Sequence, residues 1–232
     1  MPKHNHNHAD GAHAGYRIKV TRNGPYLASG GLPLSKQIIV SDANGDPVGW
    51  RAGEADPVGG TYALCRCGQS EKWPFCDGSH HRVHFDGTET AKHVPYLDAA
   101  EQTEGPTLRL TDVPFLCAKA GFCTRAGGTW QLTERSDDPE ARQTAIEQAG
   151  NCPSGRLVAW EKDGQAVEPH LEPSIGLVEN PLTGASGPIW VRGGIPIEAA
   201  DGTVYEVRNR VTLCGCGQST NKPFCDGCHS GE

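Results

Sequence analysis

Apolar and polar residues alternate in two separated stretches of the chain, residues 16–40 and residues 186–207. In both stretches glycine and proline interrupt the alternation, a pattern typical of short, half-buried β-strands joined by turns. The two stretches align with one another at three places: Gly24-Pro25 with Gly187-Pro188, Gly30-Gly31 with Gly193-Gly194, and Leu32-Pro33-Leu34 with Ile195-Pro196-Ile197. We therefore predict one small β-rich unit that occurs twice.

The first copy of this unit is longer than the second. The extra residues fall in the stretch 41–60, which reads SDANGDPVGWRAGEADPVGG and is rich in glycine, proline and aspartate. These residues favour turns and irregular backbone over strands. We therefore predict that the insertion is a loop.

A segment of different character, residues 106–172, lies between the two copies. Within it, residues 136–150 predict the one convincing helix of the chain, capped by Ser136 or Asp137 and ended by Gly150. The apolar stripe of this helix consists of Ala141, Ala145, Ile146 and Ala149.

The order of these patterns predicts an α+β protein that is mainly β, with a mixed α/β insert between two β-rich end units. A second short helix in the insert is expected to start at Asp112 and to carry Cys117. The predicted divisions are residues 1–15 as a disordered histidine-rich tail, 16–105 as the N-terminal unit, 106–172 as the insert and 173–232 as the C-terminal unit.

Composition and charge favour one class of structure and argue against nucleic acid and membranes as partners. The 232 residues include 30 glycines and 17 prolines and only 6% aromatic residues, which favours turn-rich β structure. A net charge of −7 provides no basic surface for nucleic acid. The chain has neither an apolar stretch of membrane-spanning length nor the apolar core of a secretory signal at its start, so we predict a cytoplasmic protein that does not contact membranes. The histidine-rich tail is expected to be disordered; the alternative is that its histidines form a weak binding site for nickel, copper or zinc.

The ten cysteines are the main chemical clue, because nine of them fall into three local groups. Two groups repeat one pattern, CRCGQSEKWPFCDGSH at residues 65–80 and CGCGQSTNKPFCDGCH at residues 214–229. Each has a histidine four residues after its last matching cysteine, a combination that fits metal binding in a reducing compartment better than five disulfides.

The spacing of these residues bears on which metal they bind. Three thiolates and one imidazole can hold a single zinc ion, but in zinc sites two to four residues usually lie between paired ligands, whereas only one residue lies between the first two cysteines here. Two cysteines separated by one residue can hold one iron, and a cysteine and histidine four residues apart can hold a second. Two irons bridged by two sulfides fit this spacing, and a structural zinc site remains the alternative.

Both motifs resemble those of the CDGSH (NEET) iron-sulfur proteins, whose pattern is C-x-C-x2-S/T-x3-P-x-C-D-G-S/A/T-H. The resemblance implies two end units paired about a pseudo-twofold axis, each holding one 2Fe-2S cluster. The implied ligands are Cys65, Cys67, Cys76 and His80 in the first unit, and Cys214, Cys216, Cys225 and His229 in the second. Ser70 and Ser219 also match the pattern. The sequence departs from it at Cys228, which either replaces the hydroxyl of the usual small residue or offers an alternative ligand.

A histidine ligand has chemical consequences for such a cluster. Neutral imidazole in place of a thiolate removes a negative charge, which raises the reduction potential, and it can be protonated off the iron near physiological pH. Asp77 and Asp226 precede the turn that carries the histidine, so we expect them to cap that turn rather than act as acids or bases.

The third group comprises Cys117, Cys123 and Cys152, in LCAKAGFC and NCPSGRL. A Cys-x5-Cys pair followed later by Cys-Pro resembles the single-cluster bacterial ferredoxins. With three cysteines, the resemblance implies a 3Fe-4S cluster, or a 4Fe-4S cluster with one foreign ligand. The alternative is a relic domain whose cysteines are free thiols.

Together these patterns predict a carrier of electrons or clusters, or a redox sensor, rather than an enzyme. The chain contains no nucleotide-binding fingerprint and no catalytic set of residues apart from the proposed ligands. The expected partner is a redox or cluster-acceptor protein, and the expected state is a monomer in which the two end units pair. The alternatives are a zinc-binding structural or interaction protein and the redox subunit of an oxidoreductase.

Overall fold

The computed structural model describes residues 15–230, so the predicted histidine-rich tail lies outside the described residues apart from Gly15. The strands in this part of the chain are β1 (Arg17–Val20), β2 (Tyr26–Ser29), β3 (Leu34–Ser41), β4 (Pro47–Asp56), β5 (Thr61–Leu64), β6 (Glu101–Glu104), β7 (Leu108–Asp112), β8 (Leu157–Glu161), β9 (Ala166–Val167), β10 (Ser174–Asn180), β11 (Ala185–Arg192), β12 (Ile197–Glu198) and β13 (Arg210–Leu213). The fold is α+β and mainly β, which confirms the prediction.

The helices are short and few. They are α1 (Ser79–Arg82), α2 (Tyr96–Ala99), α3 (Thr129–Glu134) and α4 (Pro139–Asn151), with 3-10 turns at Pro114–Leu116, Arg125–Gly127 and Cys228–Ser230. Within residues 15–230 none of them is long and apolar enough to cross a membrane.

The predicted central helix is present as α4, but its ends differ from the prediction. Proline is favoured at the first helical position, so Pro139 places the cap at Asp138, whose carboxylate accepts a hydrogen bond from the Glu140 N–H at 3.0 Å. The cap is therefore neither Ser136 nor Asp137. The helix also continues through Gly150, and the Arg210 guanidinium donates to the carbonyl groups of its last turn.

The prediction of a short helix starting at Asp112 and carrying Cys117 is wrong. Asp112 is the last residue of β7 and pairs with Leu157 in the neighbouring strand. Cys117 directly follows the 3-10 turn Pro114–Leu116. The proline fixes this turn, and the polar first residue that suggested a helix cap belongs to the sheet.

Two sheets are built from the repeated units: the second unit gives β12 to the first sheet, and the first unit gives β3 and β4 to the second sheet. The first sheet has the order β12-β1-β2-β5 and the second the order β13-β11-β10-β3-β4. β12 pairs in parallel with β1, where Ile18 faces Ile197, and β3 pairs in parallel with β10, where Ile175 faces Leu34. Leu34 and Ile197 occupy equivalent positions in the two copies, so the exchange follows a pseudo-twofold axis.

Glycine pairs precede both exchanged strands. Gly30 and Gly31 have φ values of 91° and 75°, and Gly193 and Gly194 have values of 78° and 72°. Residues with a Cβ rarely adopt this backbone, which explains why both copies have glycine here. The exchange merges the two units around one buried core, which contains Ile18, Leu34 and Leu64 from the first unit and Ile175, Ile197 and Leu213 from the second.

The extra residues of the first copy form a hairpin, so the prediction of a loop is wrong. β3 and β4 pair antiparallel across a turn at Gly45, whose φ is 88°. The Asp42 carboxylate accepts hydrogen bonds from the N–H groups of Asn44 and Asp46 and stabilises this turn. The turn residues of this stretch hide the strand β4, which is held by backbone hydrogen bonds to β3.

The third sheet has the order β6-β7-β8-β9 and carries α3 and α4; it consists of strands of the insert and of β6, which lies just before the predicted start of the insert at residue 106. The hairpin of the first copy reaches this insert through Trp50. Its indole N–H donates to the Asn151 carbonyl at 3.1 Å, and its ring lies 4.9 Å from that of Phe122 and 4.7 Å from that of Trp190. The insert is thereby packed against both end units.

Candidate metal centres

The four predicted ligands of the N-terminal unit lie together at the end of β5. Cys65 and Cys67 follow this strand, and their Sγ atoms are 3.7 Å apart. Cys76 returns beside the strand, where its N–H donates to the Ala63 carbonyl at 2.9 Å. His80 lies in α1, and its Nδ1 is 3.3 Å from the Cys76 Sγ.

The C-terminal unit repeats this arrangement at the end of β13. The Sγ atoms of Cys214 and Cys216 are 3.6 Å apart, and the Cys225 Sγ is 3.3 Å from the His229 Nδ1. Two sulfurs on one tetrahedral metal with 2.3 Å bonds are separated by roughly 3.8 Å. Each centre therefore offers one cysteine pair and one cysteine-histidine pair spaced to hold separate metal ions, which fits a two-iron cluster.

The predicted supporting residues hold the turns between these ligands. Ser70 donates its hydroxyl to the Phe75 carbonyl at 2.5 Å, and Ser219 donates to the Phe224 carbonyl at 2.6 Å. In each unit the bonded carbonyl belongs to the residue directly before the third cysteine. The two serines thus fix equivalent turns, and each helps to place the cysteine that follows.

The two aspartates also have related contacts. The Asp77 carboxylate accepts hydrogen bonds from the N–H groups of Ser79 and Glu71, and that of Asp226 accepts from Cys228 and Thr220. The residue directly before α1 is Gly78, so Asp77 reaches the first N–H of this helix from one position further back. These hydrogen bonds lower the pKa of Asp77 and keep its carboxylate ionised, and the bond from the Ser79 hydroxyl has the largest effect.

The two end centres touch one another across the pseudo-twofold axis. Gly68, next to Cys67, approaches the backbone of Cys216 so closely that an added Cβ would lie 2.5 Å from the Cys216 carbonyl oxygen. Reciprocally, a Cβ on Gly217 would lie 2.9 Å from the Cys67 carbonyl oxygen. Glycine at both positions therefore allows a close approach of the two ligand loops.

The three cysteines of the insert line one cavity. Cys117 follows a 3-10 turn, Cys123 precedes α3, and Cys152 follows α4 directly. Among the described residues that line the cavity, these three are the only ones with a thiol, imidazole or carboxylate group. Thiolates are soft ligands that suit an iron-sulfur cluster, and the protein supplies three of them around this cavity.

Positively charged side chains accompany this central group. Lys119 and Arg156 line the same cavity. Arg156 donates two hydrogen bonds to the Asp112 carboxylate, at 2.6 and 2.8 Å. These bonds are the main cause of the raised pKa of Arg156, and a hydrogen bond to Cys117 contributes to it less. The sequence marks neither residue as a ligand. Their position beside the three cysteines becomes apparent only from the fold, which brings both side chains to the cavity. His170, also close in sequence, is exposed and contacts Glu172 instead.

The loop from Cys117 to Cys123, called here the central loop, covers the C-terminal centre but not the N-terminal one. A Cβ on Gly227 would lie 2.6 Å from the Lys119 Cγ and 2.9 Å from the Cys117 carbonyl oxygen. The equivalent Gly78, with the same φ of 87°, has nothing within 4 Å of such a Cβ. Consistent with this cover, Cys225 is buried whereas Cys76 is partly exposed.

Burial also changes the acid-base properties of the ligands. It raises the pKa of Cys225 to about 12 and that of Cys123 to about 11. It lowers the pKa of both histidines, His80 and His229. Burial disfavours the charged form of each group, so the neutral imidazole that binds metal is favoured at both histidines.

Cys228, whose role the sequence left open, lies beside the C-terminal ligands. Its Sγ is 3.3 Å from that of Cys216. Cys214, Cys216 and Cys228 are the one group of three in the described chain whose ligand atoms all lie within 4.8 Å of one another. None of the ten cysteines forms a disulfide.

Comparisons with known families agree with this geometry. The family model described as iron-binding zinc finger of CDGSH type matches residues 23–81 and 186–230. The model described as a divergent 4Fe-4S mono-cluster matches residues 103–162. Searches of the curated proteins and of the solved structures each returned no match.

The chain therefore contains two CDGSH-type regions and, between them, a divergent 4Fe-4S mono-cluster region. The second match confirms the resemblance of the insert to single-cluster ferredoxins. Iron-sulfur cluster binding follows from both families, and neither matched family is an enzymatic domain.

Proposed function

We propose that the protein is an electron carrier with three iron-sulfur centres. Two would be 2Fe-2S clusters, one on Cys65, Cys67, Cys76 and His80 and the other on Cys214, Cys216, Cys225 and His229. The third would be a 3Fe-4S cluster, or a 4Fe-4S cluster with one ligand from outside the cavity, on Cys117, Cys123 and Cys152. When bound, these clusters would supply one-electron chemistry, and the chain would position them.

The contiguity of the three ligand groups is the observation that supports electron transfer. The two end centres touch through Gly68 and Gly217, and the central loop touches the C-terminal centre at Gly227. A further contact joins the same two centres, because Arg210, four residues before Cys214, donates to the Cys152 carbonyl at 2.6 Å. Electron transfer weakens steeply with distance, so close packing of three redox groups favours exchange among them.

Cluster delivery is the second candidate function, and the exposure of the N-terminal centre favours it. Cys76 is partly exposed, and the turn at Gly78 is not covered by the insert. A cluster held there would be accessible to an acceptor protein. Redox sensing would use the same accessibility, with the cluster lost rather than passed on.

We further propose that the chain acts as a monomer in the cytoplasm, with a redox or cluster-acceptor protein as its partner. The strand exchange between the two units supports the monomer, because it forms within one chain the pairing that would otherwise need two. Ten cysteines without a disulfide suit a reducing compartment.

Electron paramagnetic resonance of the reduced full-length protein tests the arrangement of centres. Two variants form a matched pair: Cys225→Ala weakens the C-terminal centre, and Cys76→Ala weakens the equivalent N-terminal one. We expect magnetic interaction between the reduced central cluster and its neighbour, seen as faster spin relaxation. Cys225→Ala should abolish this interaction, and Cys76→Ala should leave it.

Equal spectra from the two variants would contradict the proposed neighbour relationship. Cluster delivery becomes the better function if the N-terminal cluster moves to an added apo-ferredoxin as fast as the protein exchanges electrons with that ferredoxin in its cluster-loaded form. Visible absorbance of the separated proteins follows this transfer. A colourless protein that holds zinc after anaerobic purification would instead support the structural zinc alternative.

A further inference from the structure

The C-terminal centre contains a thiol that the N-terminal centre lacks. Cys228 occupies the position equivalent to Ser79. The Ser79 hydroxyl is buried and donates to the Asp77 carboxylate at 2.6 Å, pointing into its own turn. The Cys228 thiol instead approaches the Cys216 Sγ to 3.3 Å, closer than either Cys-x-Cys pair.

Exposure separates this pair of thiols from the other cysteines of the centre. Cys214 and Cys225 are 2% and 1% exposed, whereas Cys216 and Cys228 are both partly exposed. A small disulfide in solution can therefore reach Cys216 or Cys228 more easily than the two buried sulfurs. The exposed pair is also the pair with the shortest sulfur-sulfur distance.

We propose that Cys216 and Cys228 form a dithiol site that a small-molecule disulfide such as oxidised glutathione converts to an internal disulfide. One thiolate attacks the glutathione disulfide and releases one glutathione thiol, leaving a mixed disulfide on the protein. The second protein thiol then attacks this mixed disulfide and releases the second glutathione. The two protein thiols lose two electrons and two protons, and one glutathione disulfide becomes two thiols.

This reaction competes with cluster binding, because Cys216 is also a proposed cluster ligand. A bound cluster protects Cys216, so the disulfide forms only when the C-terminal centre is empty. Once formed, it withholds one ligand and blocks reloading until a thiol reduces it. The N-terminal centre has serine in place of the second thiol and stays able to reload.

The protection of Cys216 rests on the proposed function, because it requires a cluster at the C-terminal centre. The formation of the disulfide does not require a cluster and is tested without iron. The full-length protein is stripped of iron under reducing conditions, incubated anaerobically with glutathione mixtures of increasing oxidised fraction, and then alkylated. Chymotrypsin cleavage after Phe224 separates Cys216 from Cys228, so their disulfide appears as two linked peptides in mass spectrometry, and fragmentation that finds the alkyl groups on Cys214 and Cys225 assigns the link. We expect this linked pair as the main oxidation product of the end units.

Cys228→Ser is the matched variant, because it restores the residue that the N-terminal centre has. It should retain the iron of the C-terminal centre, and it should lower oxidation of Cys216 by at least about tenfold at the same glutathione ratio. After oxidation the natural protein should reload only its N-terminal centre until dithiothreitol is added, whereas the variant should reload both. Reloading is followed by iron content and by visible absorbance.

Two results would overturn the proposal. One is a Cys214–Cys216 disulfide that forms equally in the natural protein and in Cys228→Ser. The other is alkylation of Cys216 and Cys228 as free thiols, or their separate glutathionylation, at ratios that oxidise ordinary dithiols. If the disulfide forms but iron never binds at this centre, the cluster assignment fails and the dithiol site stands.

Discussion

The Arg210 guanidinium, 1% exposed, holds the Glu168 carboxylate through two hydrogen bonds, from Nε at 2.8 Å and from Nη2 at 2.9 Å. Arg210 belongs to the strand that leads to the C-terminal centre, and Glu168 follows the sheet of the insert. The remaining Arg210 donors reach backbone carbonyls around the end of α4, at Ala149, Gly150, Cys152 and Leu157. This one side chain therefore joins the insert to the C-terminal unit.

Arg210→Met should be strongly destabilising. The apolar side chain fills similar space but leaves the partly buried Glu168 carboxylate and the helix-end carbonyls without their donor. Removing one partner of a buried pair costs about 3–5 kcal/mol. Urea unfolding gives the free energy, and Lys162→Met, which removes only an exposed ion pair with Glu104, serves as the control and should leave the midpoint unchanged. Equal stability of the two variants would contradict this role.

The same pair makes stability depend on pH. Burial raises the pKa of Glu168, but the hydrogen bond and charge of Arg210 outweigh burial, so the net pKa lies below the ordinary 4.5. The stabilisation is therefore complete above 4.5 and disappears as the pH falls through the lower pKa of the folded state. Unfolding free energies between about pH 6 and about pH 3 should fall less steeply for Glu168→Gln than for the natural protein. Parallel curves would show that another carboxyl governs acid unfolding.

The contact between the central loop and the C-terminal centre can be tested with two glycines of equal backbone conformation. Gly227→Ala and Gly78→Ala both add a Cβ at a φ of 87°, which costs roughly 1–2 kcal/mol at each site. Only the Cβ at position 227 meets the Lys119 side chain and the Cys117 carbonyl. The absorption and spin signals of the central cluster should therefore change in Gly227→Ala and remain unchanged in Gly78→Ala. A change in both would indicate a general loss of stability instead of a local contact.

The repeat, the ligand groups and the mainly β fold could be predicted because they depend on local sequence. Cysteine spacing, glycine pairs and alternating apolar residues all act within about twenty residues. The second strand of the hairpin, β4, could not be predicted, since it is defined by pairing with β3, which itself pairs with β10 of the other unit. The same holds for Lys119, whose place beside Gly227 results from packing between segments more than a hundred residues apart.

The histidine ligands should determine how the end clusters respond to acid. The double variant His80→Cys and His229→Cys should retain both clusters at lower reduction potential, because each thiolate adds negative charge to its cluster. It should also lose its visible absorbance at lower pH than the natural protein, since the protonatable imidazole is gone. Bleaching at the same pH in both proteins would show that another group controls acid release.

Iron content together with the electron paramagnetic resonance of the oxidised protein tests most directly that three cluster sites exist. The account predicts about four irons in the end units and about three or four more in the insert, with a 3Fe-4S signal when three are present, because oxidised 2Fe-2S clusters are spin-silent. Cys123→Ala should remove the insert's share of iron and leave the absorption of the end units intact. An anaerobically purified protein with about four irons, no additional cluster signal, and Cys117, Cys123 and Cys152 all alkylated as ordinary thiols would contradict it.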